Sequence, residues 1–251
     1  MENITIQYCF KFADETQEVF HLDLDAQNFE LIGNVPDNLP QWTSLDFHQC
    51  PNCPLSSSTD PNCPLTLHLV NIVEPFNRIL SYDEIHVEVI TTERCISQRT
   101  TAQKGISSLM GIVIATSGCP HTVFLKPMAR FHLPLASEEE TLYRATSMYL
   151  LAQYFLQKEG KKGDLELHGL KQIYDNLQLV NTSIAKRLRA ASKTDTSVNA
   201  IIMLDMFAKA IPYVIKESLE EIRYLFTPYL TDSEDPTHTD DSIGTEQKSA
   251  R

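Results

Sequence analysis

The feature that most constrains this chain is a run of cysteine–proline steps between residues 48 and 65. The five-residue segment Pro-Asn-Cys-Pro-Leu occurs twice within it. Proline directly follows four of the six cysteines: Cys50, Cys53, Cys63 and Cys119. Because proline disfavours the helical conformation for the residue before it, these cysteines are expected in extended turns or at the starts of helices.

This pattern matches the needs of a metal ion held by sulfur. A Cys-x-x-Cys turn brings two sulfurs to one ion, and structural zinc sites use four tetrahedral ligands. Cys50 and Cys53 form such a turn, Cys63 adds a third sulfur and Cys119 a fourth. At a helix start the dipole and free N–H groups would lower the thiol pKa of Cys63 and Cys119. The sequence therefore predicts a Cys₄ site, with zinc as the first choice of metal.

Several alternatives remain open at this point. A [4Fe–4S] cluster also uses four thiolates, and one of its common motifs contains a Cys-Pro step. His48 and His121 lie two residues from Cys50 and Cys119, so either histidine is a rival fourth ligand in a Cys₃His site. Free cysteine is also commonly a small buried residue, which is how we interpret Cys9 in particular.

The composition is that of an acidic globular protein. The hydrophobic fraction is 42% and the net charge is −12. This balance argues against a nucleic-acid binder and against docking to anionic membranes. The sequence contains neither an apolar run of about 18 residues nor the features of a secretory signal. We expect a cytoplasmic protein, where clustered cysteines favour ligation over disulfides.

Periodicity predicts an α+β fold. Alternating or β-rich runs predict five strands: 3–12, 18–24, 42–48, 86–91 and 95–100. Helical spacing predicts six helices: from Pro64 to before Pro75, 102–116, 120–129, from Ser137 to before Gly160, 167–189, and one that follows residue 196. Ser137 and Glu140 are expected to form a capping box, and Lys186, Arg187 and Arg189 to form the basic end of a helix.

These elements predict three regions along the chain. Residues 1–100 form a small antiparallel β part that carries the cysteine site, and residues 101–230 form an α-helical bundle. Residues 231–251 are almost without apolar side chains. They are therefore predicted to be a disordered acidic tail.

A second kind of chemistry is conceivable around Cys119. With His121 nearby, this cysteine is a candidate nucleophile, and Arg130 and His132 are candidate groups close to the reaction. Lys126 and Arg144 would join Arg130 and His132 in lining a pocket for an anionic ligand. The other interpretation is that these charged residues form helix-face salt bridges and that Cys119 is a metal ligand. The sequence contains no Walker loop, G-x-G-x-x-G, H-E-x-x-H or G-x-S-x-G motif.

The chain also resembles an uncharacterised bacterial protein family with no known activity. The resemblance covers most of the chain except the tail and rests on five stretches: Cys50–Leu55, Asn62–Pro64, Ser117–Pro120, Lys126–Pro134 and Ser147–Phe155. It implies that the four Cys-Pro cysteines belong to one pattern and that the host is bacterial.

Taken together, the sequence predicts a cytoplasmic metal-binding protein with a binding or regulatory role. The alternative is an enzyme or redox protein that uses an iron–sulfur cluster or Cys119 as a reactive thiol. The partner, whether a protein or a small molecule, and the oligomeric state are left open.

Overall fold

The structure is a computed structural model that describes residues 3–33, 35–191 and 194–230. The strands are β1 (Ile4–Lys11), β2 (Gln17–Leu24), β3 (Leu31–Ile32), β4 (Glu84–Ile90) and β5 (Cys95–Thr101). The α-helices are α1 (Pro64–Val73), α2 (Ala102–Thr116), α3 (Lys126–Arg130), α4 (Glu138–Lys158), α5 (His168–Ala191), α6 (Thr196–Glu221) and α7 (Thr227–Leu230). The chain is thus α+β, with a sheet followed by helices, as predicted.

The five strands form one antiparallel sheet in the order β3-β2-β1-β4-β5. Four of the predicted strands are confirmed, and they pair as the hairpins β1–β2 and β4–β5. Strand β1 lies at the centre, where Tyr8 pairs with Val89 and Phe10 pairs with Val87 on β4. All four of these side chains are buried. The alternation that predicted the strands therefore corresponds to one face of the sheet that packs into the core.

The strand predicted over 42–48 is wrong. This stretch begins with a 3₁₀ helix, Gln41–Thr43, and continues through turns. Two of its backbone bonds close local turns, from Thr43 N to Pro40 O (3.0 Å) and from Phe47 N to Ser44 O (3.2 Å). Pro40 suits a helix start because it lacks an N–H that would be unpaired there. The edge strand of the sheet is instead β3, which the sequence pattern did not predict.

A single hydrophobic core joins the sheet to helices α1, α2 and α5. Helix α2 approaches the sheet closely at Gly105. A Cβ added at Gly105 would lie 2.9 Å from the Val87 side chain and 3.2 Å from the Phe10 ring. The glycine is therefore needed for the close contact between helix and sheet.

Local signals set most of the helix ends. Helix α1 starts at Pro64 with Cys63 as its N-cap residue, and helix α4 has the predicted capping box of Ser137 and Glu140. The helix predicted over 120–129 is shorter than expected. Turns follow Pro120, then a 3₁₀ helix at Val123–Leu125, and α3 begins only at Lys126.

The chain divides into two compact units, Met1–Ile215 and Lys216–Arg251. The first holds the sheet, the core and every residue discussed below. Within the second, a 3₁₀ helix and α7 follow the end of α6. The tail at 231–251 that was predicted to be disordered lies outside the described residues. Across the part of the chain that is described, none of the helices combines the length and apolar character needed to cross a bilayer.

Candidate metal centre

Three separate segments carry the four Cys-Pro cysteines. The first is a turn in which Cys53 N donates to Cys50 O (3.0 Å). The Gln49 side chain stabilises this turn, because its Nε2 donates a hydrogen bond to Leu55 O (3.0 Å). The turn follows His48, which has a left-handed backbone (φ 50°), a conformation that histidine adopts more readily than most residues.

The second segment holds Cys63 at the start of α1. Cys63 N donates to Thr43 O (2.8 Å), and Leu45 N donates to Pro61 O (2.9 Å). An isolated antiparallel bridge between Ser44 and Asn62 continues this pairing. The 3₁₀ segment and the approach to Cys63 are thus tied together by backbone hydrogen bonds.

The third segment is the turn after α2. Gly118 has φ 78°, a left-handed conformation in which glycine is favoured. Cys119 follows and is 9% exposed. Thr122 N donates to Cys119 O (3.0 Å), and the backbone N–H groups of His121 and Thr122 act to lower the pKa of the Cys119 thiol.

The fold brings these segments together. Cys50 interacts electrostatically with Cys53 and Cys63, and Cys119 interacts with Cys63 and Cys50. All six cysteines of the chain are free thiols. Cys119, which follows α2, is therefore a neighbour of the cysteines at 50–63. It is separated from Cys63 by 55 residues in the sequence, so local sequence patterns could not show that the two are close.

The thiols are neighbours, but their described positions do not form a metal-binding geometry. Within residues 3–33, 35–191 and 194–230, no three His, Cys, Asp or Glu side chains are arranged so that they could hold a metal ion. The arrangement is that of a thiol cluster, and the metal itself remains a proposal.

A buried arginine on α5 completes the surroundings of the thiols. Arg187 is 1% exposed. Its Nη1 donates to Trp42 O (2.8 Å) and Ser44 O (2.6 Å), and its Nη2 donates to Leu45 O (2.8 Å). Its Nε is buried and has no hydrogen-bond partner within the described chain. Burial lowers the Arg187 pKa, and the thiols of Cys63, Cys50 and Cys53 oppose that shift.

The predicted basic helix end is confirmed at the end of α5, but burial of Arg187 there was not predicted. The spacing of Arg187 from the apolar residues of α5 would have predicted its burial. Arg187 follows Ile184 by three residues and Val180 by seven, so it continues the buried face of α5. A cation on the apolar face of a helix needs buried partners, and here they are three carbonyls and a group of thiols.

The expected low thiol pKa at Cys119 is also wrong. Burial raises the pKa of Cys119 to about 11, and this outweighs the lowering effect of the backbone N–H groups of His121 and Thr122. The physical reason is that Cys119 precedes turns and not an α-helix, so no macrodipole acts on it.

The two rival histidine ligands lie differently. His121 Nε2 donates to Asn52 O (2.6 Å), which links the Cys119 turn to the Cys50–Cys53 turn. His48 is exposed, and its ring packs edge-on against Phe47 with centroids 4.8 Å apart. The geometry therefore gives His121 a bridging contact at the thiol cluster and gives His48 none of the same kind.

The remaining candidates around Cys119 do not gather there. Arg130 is exposed and stacks over the Phe131 ring at 5.5 Å. Lys126 pairs with Glu30 (3.0 Å). His132 is bonded to the buried Tyr8 hydroxyl through Nε2. His132 and Arg144 line a cavity of about 1250 Å³, whereas Cys119, His121 and Arg130 are not among its described lining residues.

Replacement of Gly118 by alanine tests the turn before Cys119. A Cβ at this position meets no atom within 4 Å, so the cost arises only from the left-handed backbone. We expect a loss of about 1–2 kcal/mol in the free energy of unfolding, measured by urea denaturation. Gly111→Ala in α2 is the control, because its Cβ would make ordinary contact at 3.8 Å. Equal stability of Gly118→Ala and wild type would contradict the left-handed turn.

Comparison with known proteins identifies a family for this chain, and that family has no described activity. No curated protein and no solved structure matches the chain. One family does match, over residues 6–227, and it is described as a domain of unknown function (DUF6901). The match spans all four Cys-Pro cysteines and Arg187. The chain therefore belongs to the DUF6901 family.

Proposed function

We propose that the chain is a cytoplasmic metal-binding protein in which Cys50, Cys53, Cys63 and Cys119 hold one zinc ion. The observation that carries the proposal is that the Cys-Pro thiols of three segments interact electrostatically with one another, and that those of Cys50, Cys53 and Cys63 also interact with the buried Arg187. Thiolates in this number are the ligand set of closed structural zinc sites. When bound, zinc would supply a structural cross-link between these segments.

The charge on Arg187 supports this proposal. A zinc ion with four thiolates is an anion, and burying an anion without a compensating charge is costly. Arg187 is a buried cation, and the thiols of Cys50, Cys53 and Cys63 all interact with it electrostatically. An apolar cluster of neutral cysteines would leave this cation without an opposite charge.

Polar groups near the thiols support the same proposal. The backbone N–H groups of His121 and Thr122 act to lower the pKa of the Cys119 thiol, and the Ser183 side chain acts to lower that of Cys50. Metal-bound thiolates are commonly oriented and stabilised by such outer partners. The His121–Asn52 hydrogen bond would hold the first and third cysteine segments against each other.

The reactive-thiol alternative has weaker physical support. Reactive cysteines are partly exposed and have lowered pKa values. Cys119 is buried, and its pKa is raised to about 11. A [4Fe–4S] cluster would use the same four thiolates, so only the identity of the metal separates it from zinc.

The proposal is tested by the metal content of protein purified without air. We expect one zinc per chain and a colourless solution, measured by elemental mass spectrometry and visible absorption. Iron and sulfide with a brown colour would keep the ligand set but replace zinc by a cluster. Protein that carries no metal and does not take up zinc on addition would overturn the proposal.

A further inference from the structure

The cavity of about 1250 Å³ lies away from the thiol cluster and has its own chemistry. Helix α2 and the ends of β4 and β5 form one side, and residues of α4, α5 and α6 form the other. Ligand sites are commonly concave, largely apolar and equipped with a few convergent polar groups. The volume is ample for a small organic molecule.

Most of the deeper lining is apolar. Four side chains from three helices illustrate this: Met128, Leu177, Met203 and Leu204. The neighbouring polar group of Ser108, Tyr8 and His132 is satisfied internally, because the Tyr8 hydroxyl is bonded to both Ser108 Oγ (2.9 Å) and His132 Nε2. Burial lowers the pKa of His132 to about 3, so this histidine is neutral near pH 7.

Arg144 is the one charged side chain among the described lining residues that is not exposed. Its Nη2 donates to Met128 O (2.7 Å) and Phe131 O (2.9 Å), and these bonds fix the orientation of the guanidinium. No ion pair within 4.0 Å joins Arg144 to a carboxylate in the described part of the chain. Its other donors therefore remain available to a ligand, in the fork geometry that matches a carboxylate.

Two buried polar side chains on α5 lie on the same side of the cavity. Tyr174 is 6% exposed and interacts electrostatically with Arg144. Asn181 follows Tyr174 by seven residues, so both belong to one face of the helix. Asn181 is 5% exposed and lines the cavity. An amide at the cavity wall can donate a hydrogen bond to a ligand carboxylate.

We propose that this cavity binds an organic acid with an apolar body and one carboxylate group. Arg144 receives the carboxylate, Tyr174 and Asn181 donate hydrogen bonds to it, and the apolar lining covers the body of the ligand. This binding site is independent of the proposed metal, since the Cys-Pro cysteines are not among its described lining residues.

The test compares matched acids and alcohols with the full-length protein by calorimetric titration. Dodecanoate below its micellar concentration is paired with dodecanol, and 2-naphthoate with 2-naphthalenemethanol. We expect at least one acid to bind about tenfold or more tightly than its alcohol, because hydrogen bonds to a charged group are lost in the alcohol. Binding of neither acid, or equal binding of acid and alcohol in both pairs, would overturn the proposal.

Two variants locate the binding. Arg144→Gln is expected to abolish the preference for acid over alcohol, with exposed Arg94→Gln as a control that leaves it unchanged. Because Arg144→Gln also removes backbone contacts, Asn181→Leu provides a test that does not depend on them. Asn181→Leu should weaken acid binding about tenfold, because it removes a hydrogen-bond donor from the cavity wall. Unchanged acid binding in both variants would place the ligand elsewhere and overturn the proposal.

Discussion

Replacement of any one of Cys50, Cys53, Cys63 and Cys119 by serine is expected to lower zinc affinity by more than about 100-fold. The loss of an outer-shell partner alone costs about 10–100-fold in metal affinity, and the loss of a ligand costs more. Because structural zinc contributes its binding free energy to folding, each variant should also unfold at a lower temperature. Zinc retention under chelator competition and thermal unfolding measure the two effects.

Matched controls separate ligation from ordinary packing. Cys95→Ser changes an exposed thiol and Cys9→Ser a buried one in β1, and neither should change zinc affinity. Wild type should lose thermal stability when a chelator is added, whereas the four ligand variants should show little further loss. A variant of the four that retains wild-type zinc affinity would remove its cysteine from the ligand set.

Replacement of Arg187 by methionine is expected to lower the free energy of unfolding by about 3–5 kcal/mol. The substitution removes three hydrogen bonds to the carbonyls of Trp42, Ser44 and Leu45 and leaves these acceptors buried. It also removes the cation beside the thiols, so zinc should dissociate faster to a chelator. Chemical denaturation and chelator-exchange kinetics measure the two effects.

The controls for Arg187 lie on the same helix. Arg189→Met changes an exposed arginine two residues away and should alter stability by less than about 0.5 kcal/mol. Arg187→Lys keeps the charge but loses the planar fork, so an intermediate loss of stability is expected. If Arg187→Met destabilised the fold but left zinc exchange unchanged, the arginine would be structural and would not balance the charge of the proposed centre.

Periodicity and capping were sufficient to predict much of the fold. The hairpins β1–β2 and β4–β5, the start of α1 at Pro64 and the capping box of α4 depend on neighbours in sequence, so local patterns reveal them. Strand β3 has only two residues, Leu31 and Ile32, which is too short for alternation to be visible. The stretch after Pro40 alternates like a strand, but it forms a 3₁₀ helix and turns, with only an isolated bridge from Ser44 to Asn62.

The candidate sites were harder to predict than the helices and strands, because they depend on contacts between residues far apart in the sequence. The repeated Cys-Pro steps predicted one site for four cysteines, which stays a prediction. The role of Arg187 follows from its packing against residues 42–45, about 140 positions away. A pocket was predicted beside Cys119, but Cys119 is not among the described lining residues of the cavity that His132 and Arg144 share. His132 and Arg144 line the cavity, while Tyr174 and Asn181 join them from α5, and nothing in the local sequence indicates that meeting.

The most direct test of the central claim is the absorption spectrum of the protein reconstituted with Co²⁺ in place of zinc. Four thiolate ligands predict intense sulfur-to-cobalt charge-transfer bands and the visible bands of a tetrahedral ion, saturating at one Co²⁺ per chain and bleached by zinc. Replacing Cys119 by serine should weaken the charge-transfer bands. A spectrum no different from that of aqueous Co²⁺ would contradict a metal centre at these four cysteines.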